Sequence, residues 1–116
     1  GLGDVYKRQD FRPVTEGLTL TPVMLILILD LYFRLTPITM VKDTPEVQEL
    51  ARLIKVSAPE VVEVLETFQY CDPYLKRKGE PAAHLIGPCK QVWRRFGNAD
   101  TEELVSFASQ LKDYFK

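Results

Sequence analysis

The sequence is poor in the side chains that most often form metal sites and nucleophilic sites. Its 116 residues contain one histidine, His84, and two cysteines, Cys71 and Cys89. Zinc sites usually combine four ligands that include close pairs such as Cys-x2-Cys, and this pattern is absent. A glycine-rich phosphate loop is absent too, and nothing identifies a group that would orient a Cys–His nucleophile. We therefore expect no metal, cofactor, small-molecule ligand or catalysis.

Targeting and membrane signals are also missing. No signal peptide precedes the cysteines, so we interpret them as free thiols in a cytoplasmic protein. The first nine residues, GLGDVYKRQ, have neither a hydrophobic period nor a helix cap, and DVYKRQ is similar to a translated sequencing adapter. We treat residues 1–9 as a non-native leader and predict a single helical domain over residues 10–116.

The longest apolar stretch, residues 23–35, is too short to cross a membrane. A span needs about 20 apolar residues, and both Asp30 and Arg34 interrupt this one. A buried strand is the alternative interpretation of a short apolar run. Helix is favoured because Thr21-Pro22 is a typical N-cap with proline at the first helical position, and because the run exceeds a usual strand in length. We predict a central helix from Pro22 to Leu35, apolar on all sides.

Two helices with a very short connection follow. Thr44-Pro45 repeats the cap pattern, and apolar residues then recur at the i, i+3, i+4 and i+7 spacing of one helical face. Ser57 and Glu60 form a capping box that starts the third helix, which Asp72-Pro73 ends. Only about three residues separate the two helices, so they must be neighbours at an angle. The sequence thus predicts a helix-turn-helix-like pair.

Two further helices complete the predicted fold. Residues 74–88 are rich in glycine and proline and are interpreted as a loop. Pro88 is expected to open the fourth helix, and Gly97-Asn98 to end it with a left-handed C-cap. Asp100 and Glu103 are expected to cap the fifth. The fold class is therefore all-α, a five-helix bundle. The predicted core comprises residues 23–35, Val47, Leu50, Ile54, Val61, Leu65, Phe68, Trp93, Phe96, Leu104, Phe107 and Leu111.

The formal net charge of −1 conceals two segments of opposite charge. Residues 43–72 carry seven acidic and two basic side chains, whereas residues 76–95 carry six basic and one acidic. The second helix of a helix-turn-helix usually enters the DNA major groove, but here it carries Glu60, Glu63 and Glu66, which would face the phosphates. The candidate contacts with DNA phosphates are instead the six cations of the basic loop and fourth helix: Lys76, Arg77, Lys78, Lys90, Arg94 and Arg95.

The order of LDLYFRL, TPEVQELARLI, VVEVLETF, DP and VWRRF resembles the small helical module at the N-terminus of many bacterial HNH-type restriction endonucleases and related stand-alone bacterial proteins. The resemblance covers about residues 23–96 and implies a helix-turn-helix that helps an attached nuclease find DNA. In that family the turn is usually of the type Gly-Arg-Thr-Pro, whereas here it is Lys55-Val56-Ser57, followed by exposed Glu63 and Glu66. The family's DNA-reading residues therefore do not carry over.

Two hypotheses follow for the function. In the first, the protein is a non-catalytic module that associates with the DNA phosphate backbone through its basic loop and fourth helix. In the second, it is an accessory domain that has lost DNA contact and binds a protein through Glu60, Glu63 and Glu66, or self-associates through complementary charge patches. Ordinary solvation of the charged segments is the alternative to both.

Overall fold

Five α-helices and two short 3-10 turns make up the described part of the chain. The structure, a computed structural model, describes residues 8–14, 19–75, 80–97 and 101–116, which contain no β-strand. The all-α prediction with five helices is confirmed. The 3-10 turns are Arg8–Phe11 and Pro37–Thr39, and the helices are α1 (Pro22–Tyr32), α2 (Pro45–Ile54), α3 (Ala58–Cys71), α4 (Ala83–Phe96) and α5 (Thr101–Phe115).

Helix α1 is the central helix that the apolar run predicts. Its first turn is capped by Thr21, whose Oγ1 accepts a hydrogen bond from the Met24 amide at 3.4 Å. All residues from Val23 to Tyr32 are buried, and α1 contacts each of the other four helices. Each large apolar side chain buried in this way contributes about 1.5–3 kcal/mol, so α1 supplies much of the driving force for folding.

The C-terminus of α1 differs from the prediction, because the helix ends at Tyr32 and not at Leu35. The buried Asp30 carboxylate accepts a hydrogen bond from Arg34 at 2.8 Å, and the Arg34 side chain is 48% exposed. A charge pair of this kind keeps one partner in water. The chain therefore turns outward, and both Phe33 and Arg34, which were expected in the core, are exposed.

A three-residue connection joins α2 to α3, as predicted. Lys55 ends α2 in the left-handed conformation (φ 61°), and the Ser57 hydroxyl caps α3 by accepting from the Glu60 amide at 3.3 Å. Thr44 does not cap α2; its hydroxyl donates to the Thr39 carbonyl at 2.6 Å. The two helices contact each other. Their interpretation as a DNA-binding helix-turn-helix stays a prediction.

Helix α4 begins at Ala83, so the prediction that Pro88 opens it is wrong. Proline inside a helix removes one hydrogen bond and crowds the residue before it. Here that residue is Gly87, which has no Cβ to meet the proline ring, and the fully buried Leu85 holds the first turn in the core. Packing thus overrides the local signal, and the loop expected to reach Pro88 ends at Ala82.

Gly97 follows α4 and does not itself adopt the left-handed conformation predicted for the Gly97-Asn98 cap. Its φ of −64° is right-handed, and its amide donates to the Trp93 carbonyl at 2.6 Å. A Cβ at this position would lie 2.6 Å from that carbonyl oxygen and 2.8 Å from indole carbons of Trp93. The residue is therefore fitted to close packing and not to a positive φ. Asn98 and Asp100, the other predicted cap residues, lie outside the described residues.

The core is close to the predicted one. Most of its members are buried, but Leu35, Trp93 and Phe107 are only half-buried, and Phe33 and Arg34 are exposed. Prediction missed several apolar residues that fill the same cluster: Leu20, Met40, Leu85 and Cys89. The predicted leader lies mostly outside the described residues, since only its last two positions are placed, in the first 3-10 turn. None of the described helices has the length and apolar character that a membrane crossing requires.

Candidate nucleic-acid interface

Helix α4 displays the three predicted phosphate-binding cations that the structure describes. Lys90, Arg94 and Arg95 are all exposed. With about 3.6 residues per turn, Lys90 and Arg94 stand roughly 40° apart around the helix axis, and Arg95 stands about 100° beyond Arg94. Lys90 and Arg94 thus share one face. The remaining three predicted cations lie outside the described residues: Lys76, Arg77 and Lys78.

Arg95 has a structural partner, which separates it from the other two. Its Nη1 lies 2.9 Å from Oδ1 of Asp10, a buried carboxylate in the first 3-10 turn, and its Nη2 lies 3.5 Å from Oδ2. The guanidinium also lies over the ring of Phe96, 5.2 Å from its centroid. These contacts orient Arg95 and satisfy much of its charge. Its predicted role as a free phosphate ligand is therefore weakened.

A large cleft of about 810 Å³ runs between the N-terminal segment and α4. Arg12, Arg94 and Arg95 contribute positive charges, and among the described residues of its lining Asp10 alone is acidic. Its other residues are mostly prolines, valines and small or amide side chains: Pro13, Val14, Pro22, Gly87, Pro88, Gln91 and Val92. The cleft is therefore positive and partly apolar. The sequence did not indicate Arg12, since the residues before Pro22 show no pattern that says where it would lie.

A second, smaller cleft of about 370 Å³ adjoins the first across Arg94. It lies between the end of α3 and α4, and five of the described residues line it: Tyr70, Cys71, Lys90, Trp93 and Arg94. The Lys90 ammonium lies 5.7 Å from the centroid of the Tyr70 ring, a cation–π contact that holds it at the rim. Arg94 lines both clefts. Arg94 therefore lies where the two clefts meet on the exposed face of α4.

The indole of Trp93 forms the aromatic wall of the small cleft and is packed against three other rings. Its ring centroid lies 5.8 Å from Tyr32, 5.7 Å from Phe33 and 6.3 Å from Phe68. Tilted and edge-on contacts of this kind are favourable arrangements of aromatic rings. Trp93 is therefore held in place by its aromatic neighbours.

A partly buried hydrogen bond between Tyr32 and Asp72 secures the neighbouring end of α3. The Tyr32 hydroxyl donates to Oδ2 of Asp72 at 2.7 Å, and Oδ1 of Asp72 accepts from the Tyr74 amide at 2.9 Å. Burial, and next the bond to Asp72, raise the pKa of Tyr32 well above its ordinary value. The phenol thus stays a donor at neutral pH. Asp72 in turn fixes the backbone just after Cys71, beside the small cleft.

The acidic side chains of α3 point toward solvent. Glu60 and Glu63 are exposed and Glu66 is half-buried. None of the three forms an ion pair with another residue in the described ranges. Their negative charges are therefore available at the surface of α3, and they oppose the approach of phosphates to that helix.

The two thiols differ in burial, since Cys89 is buried and Cys71 is half-buried. Burial, with a smaller contribution from Cys71, raises the pKa of the Cys89 thiol far above its ordinary value, so this group stays protonated at neutral pH and is a poor nucleophile. His84 is exposed. Among the side chains that were placed, no three histidine, cysteine or acidic residues are grouped to hold a metal ion.

Comparison of the chain with protein-family models, curated proteins and solved structures found no match. The interface is therefore interpreted from its own residues. Sequence analysis identified its cations on α4 but not its aromatic wall. Trp93 was predicted only as a core residue and Tyr70 was not singled out, and the packing of α3 against α4 brings both to one cleft.

Proposed function

We propose that the protein is a non-catalytic module that associates with nucleic acid by binding phosphates along the exposed face of α4. The observation that carries this proposal is the pair Lys90 and Arg94, which stand on one helical face at the junction of two clefts. Arg12 adds a third exposed cation across the large cleft. Phosphate contacts of this type supply most of the affinity in sequence-independent binding.

Helix α4 is the better candidate for this contact than α3. In an ordinary helix-turn-helix the second helix of the pair reads the groove, and that helix would be α3. Its exposed Glu60 and Glu63 repel phosphates. The resemblance to the N-terminal module of HNH-type endonucleases supports a role near DNA, and the charge distribution favours a docking surface that differs from the usual one.

The proposal is tested by fluorescence anisotropy with a labelled DNA duplex and its separate single strand, at about 50 and 200 mM salt. We expect binding at low salt that weakens steeply as salt rises. In a Lys90→Gln/Arg94→Gln variant we expect weaker binding. We also expect the slope of log K against the logarithm of the salt concentration to be smaller in magnitude by about two. Each lost phosphate contact removes roughly one unit of that slope.

A Lys42→Gln/Arg52→Gln variant provides the matched control. Both residues are exposed, neither lines a cleft, and the change in net charge is the same. We expect it to bind DNA as the unchanged protein does. If DNA binding weakened equally in the two variants, only the overall charge would matter. Absence of binding to either form of DNA at low salt would overturn the proposal.

A second candidate function is association with a protein through α3. The exposed, unpaired carboxylates Glu60 and Glu63 favour it among the described residues, and the basic face of α4 on a second copy of the chain is a complementary partner. Sedimentation velocity at low salt would then show a dimer that a Glu60→Gln/Glu63→Gln variant does not form. A monomer at every concentration and salt would exclude self-association.

A further inference from the structure

The small cleft combines aromatic rings with cations at its rim. Trp93 and Tyr70 line it together with Lys90 and Arg94, and its volume of about 370 Å³ lies within the range of small-molecule sites. The two cations stand one helical turn apart. Sites that bind single-stranded nucleic acid combine aromatic rings, on which bases stack, with cations that bind the phosphates.

We propose that this cleft binds an unpaired nucleobase, which stacks against Trp93 and Tyr70 while Lys90 and Arg94 hold the adjacent phosphates. The inference rests on the proposed function and names its substrate class as single-stranded nucleic acid. A base within a duplex exposes only its edge, since its faces are covered by neighbouring bases. Only an unpaired base presents a face to an aromatic side chain.

Rigidity of the aromatic wall supports this assignment. Tyr32, Phe33 and Phe68 pack against the indole of Trp93, and the Tyr32–Asp72 hydrogen bond fixes the end of α3 beside it. A ring that is already held in place loses little conformational freedom when a base stacks on it.

Trp93 is the only tryptophan in the chain, so its fluorescence reports on this cleft directly. We expect oligothymidylate of about ten nucleotides to quench it, because such a strand has unpaired bases throughout. An oligomer with the same phosphates but without bases is expected to bind more weakly and to leave the fluorescence unchanged. A matching oligouridylate shows whether DNA or RNA is the better source of the base.

A Tyr70→Ala variant is expected to lower the affinity for oligothymidylate roughly tenfold, since removal of one stacking ring typically has an effect of that size. The control is Tyr114→Ala, which removes an exposed tyrosine from α5 that does not line the cleft. We expect it to leave the affinity unchanged. Circular dichroism of both variants distinguishes lost binding from lost folding.

The outcomes separate this inference from the proposed function. Quenching by oligothymidylate that Tyr70→Ala weakens supports both. DNA binding detected by anisotropy with no change in Trp93 fluorescence, or equal quenching by the base-free oligomer, overturns the stacking site and leaves the phosphate interface standing. Failure to bind any of these strands at low salt overturns both.

Discussion

Asp10 and Arg95 are 85 positions apart in the chain, and their side chains form an ion pair of 2.9 Å. The carboxylate is buried, whereas the arginine side chain is 38% exposed. The pair fastens the first 3-10 turn to the last turn of α4. It also shapes the large cleft, because both residues line it. Arg95 is therefore expected to matter for stability more than for binding.

Replacing Arg95 by alanine tests this role. We expect a loss of about 1–2 kcal/mol in the free energy of unfolding, because a buried carboxylate loses its guanidinium partner while solvent already weakens the pair. The melting temperature should fall by roughly 4–8 °C. Arg94→Ala, one position away on the same helix, should change stability by less than about 0.5 kcal/mol. Equal losses in the two variants, measured by urea denaturation, would contradict the assignment.

Local signals in the sequence predicted most of the fold. The Thr21-Pro22 cap and the apolar run define the start and the burial of α1, and the Ser57 cap defines the start of α3. The start of α4 was missed because a proline signal at position 88 competes with the burial of Leu85, and burial dominates. Propensity is a weak guide wherever tertiary packing opposes it.

The candidate site was predictable only in part. The cations of α4 are visible as a charged segment, but their partners come from distant parts of the chain. The pairing of Arg95 with Asp10 and the meeting of Tyr70 with Trp93 depend on how the N-terminal segment and α3 pack against α4. Helical periodicity places residues on faces and does not say which faces meet. The positions and linings of the two clefts could therefore be found only from the structure.

The connection between α2 and α3 provides a stability prediction. Lys55 has a φ of 61° and is the only described non-glycine residue with a positive φ. Glycine reaches this conformation without the clash that a Cβ causes. We expect Lys55→Gly to stabilise the protein by about 0.5–1 kcal/mol, as measured by chemical denaturation. Lys55→Ala, which removes the charge but keeps the Cβ, is the control and should give no such gain.

The buried thiol of Cys89 predicts a loss of stability in alkaline solution. Burial raises the pKa of Cys89 in the folded protein, whereas in the unfolded chain a thiol ionises near pH 8.5 or slightly above. Below that pH the thiol is protonated in both states and has no effect. Above it only the unfolded chain releases the proton, so the free energy of unfolding should fall by up to about 1.4 kcal/mol per pH unit.

Urea denaturation between about pH 7.5 and 9.5 under reducing conditions measures this slope. A Cys89→Ala variant should be less stable at neutral pH, since it leaves a small cavity in the core. The slope of its free energy of unfolding against pH should nevertheless be smaller, by the contribution of about one proton. The same slope in both proteins would show that another group is responsible for the alkaline loss.

Gly87 in α4 and Gly97 at its C-terminus should respond differently to alanine. A Cβ at Gly87 would meet no atom within 4 Å beyond its neighbours in the chain, but it would crowd the ring of Pro88. At Gly97 a Cβ would lie under 3 Å from the Trp93 carbonyl oxygen and from two of its indole carbons. We expect Gly87→Ala to change the free energy of unfolding by less than about 1 kcal/mol, because the gain in helix propensity and the crowding by Pro88 oppose each other. Gly97→Ala should destabilise it by about 1–3 kcal/mol, the usual range for overpacking.

Trp93 fluorescence gives an independent measure of the second change. Because Gly97 packs directly on the indole, Gly97→Ala should shift the emission of the folded protein, whereas Gly87→Ala should not. The displaced ring would also distort the wall of the small cleft. Stabilisation by Gly97→Ala would mean that the chain after α4 relaxes freely and that Gly97 is not held by close packing against Trp93.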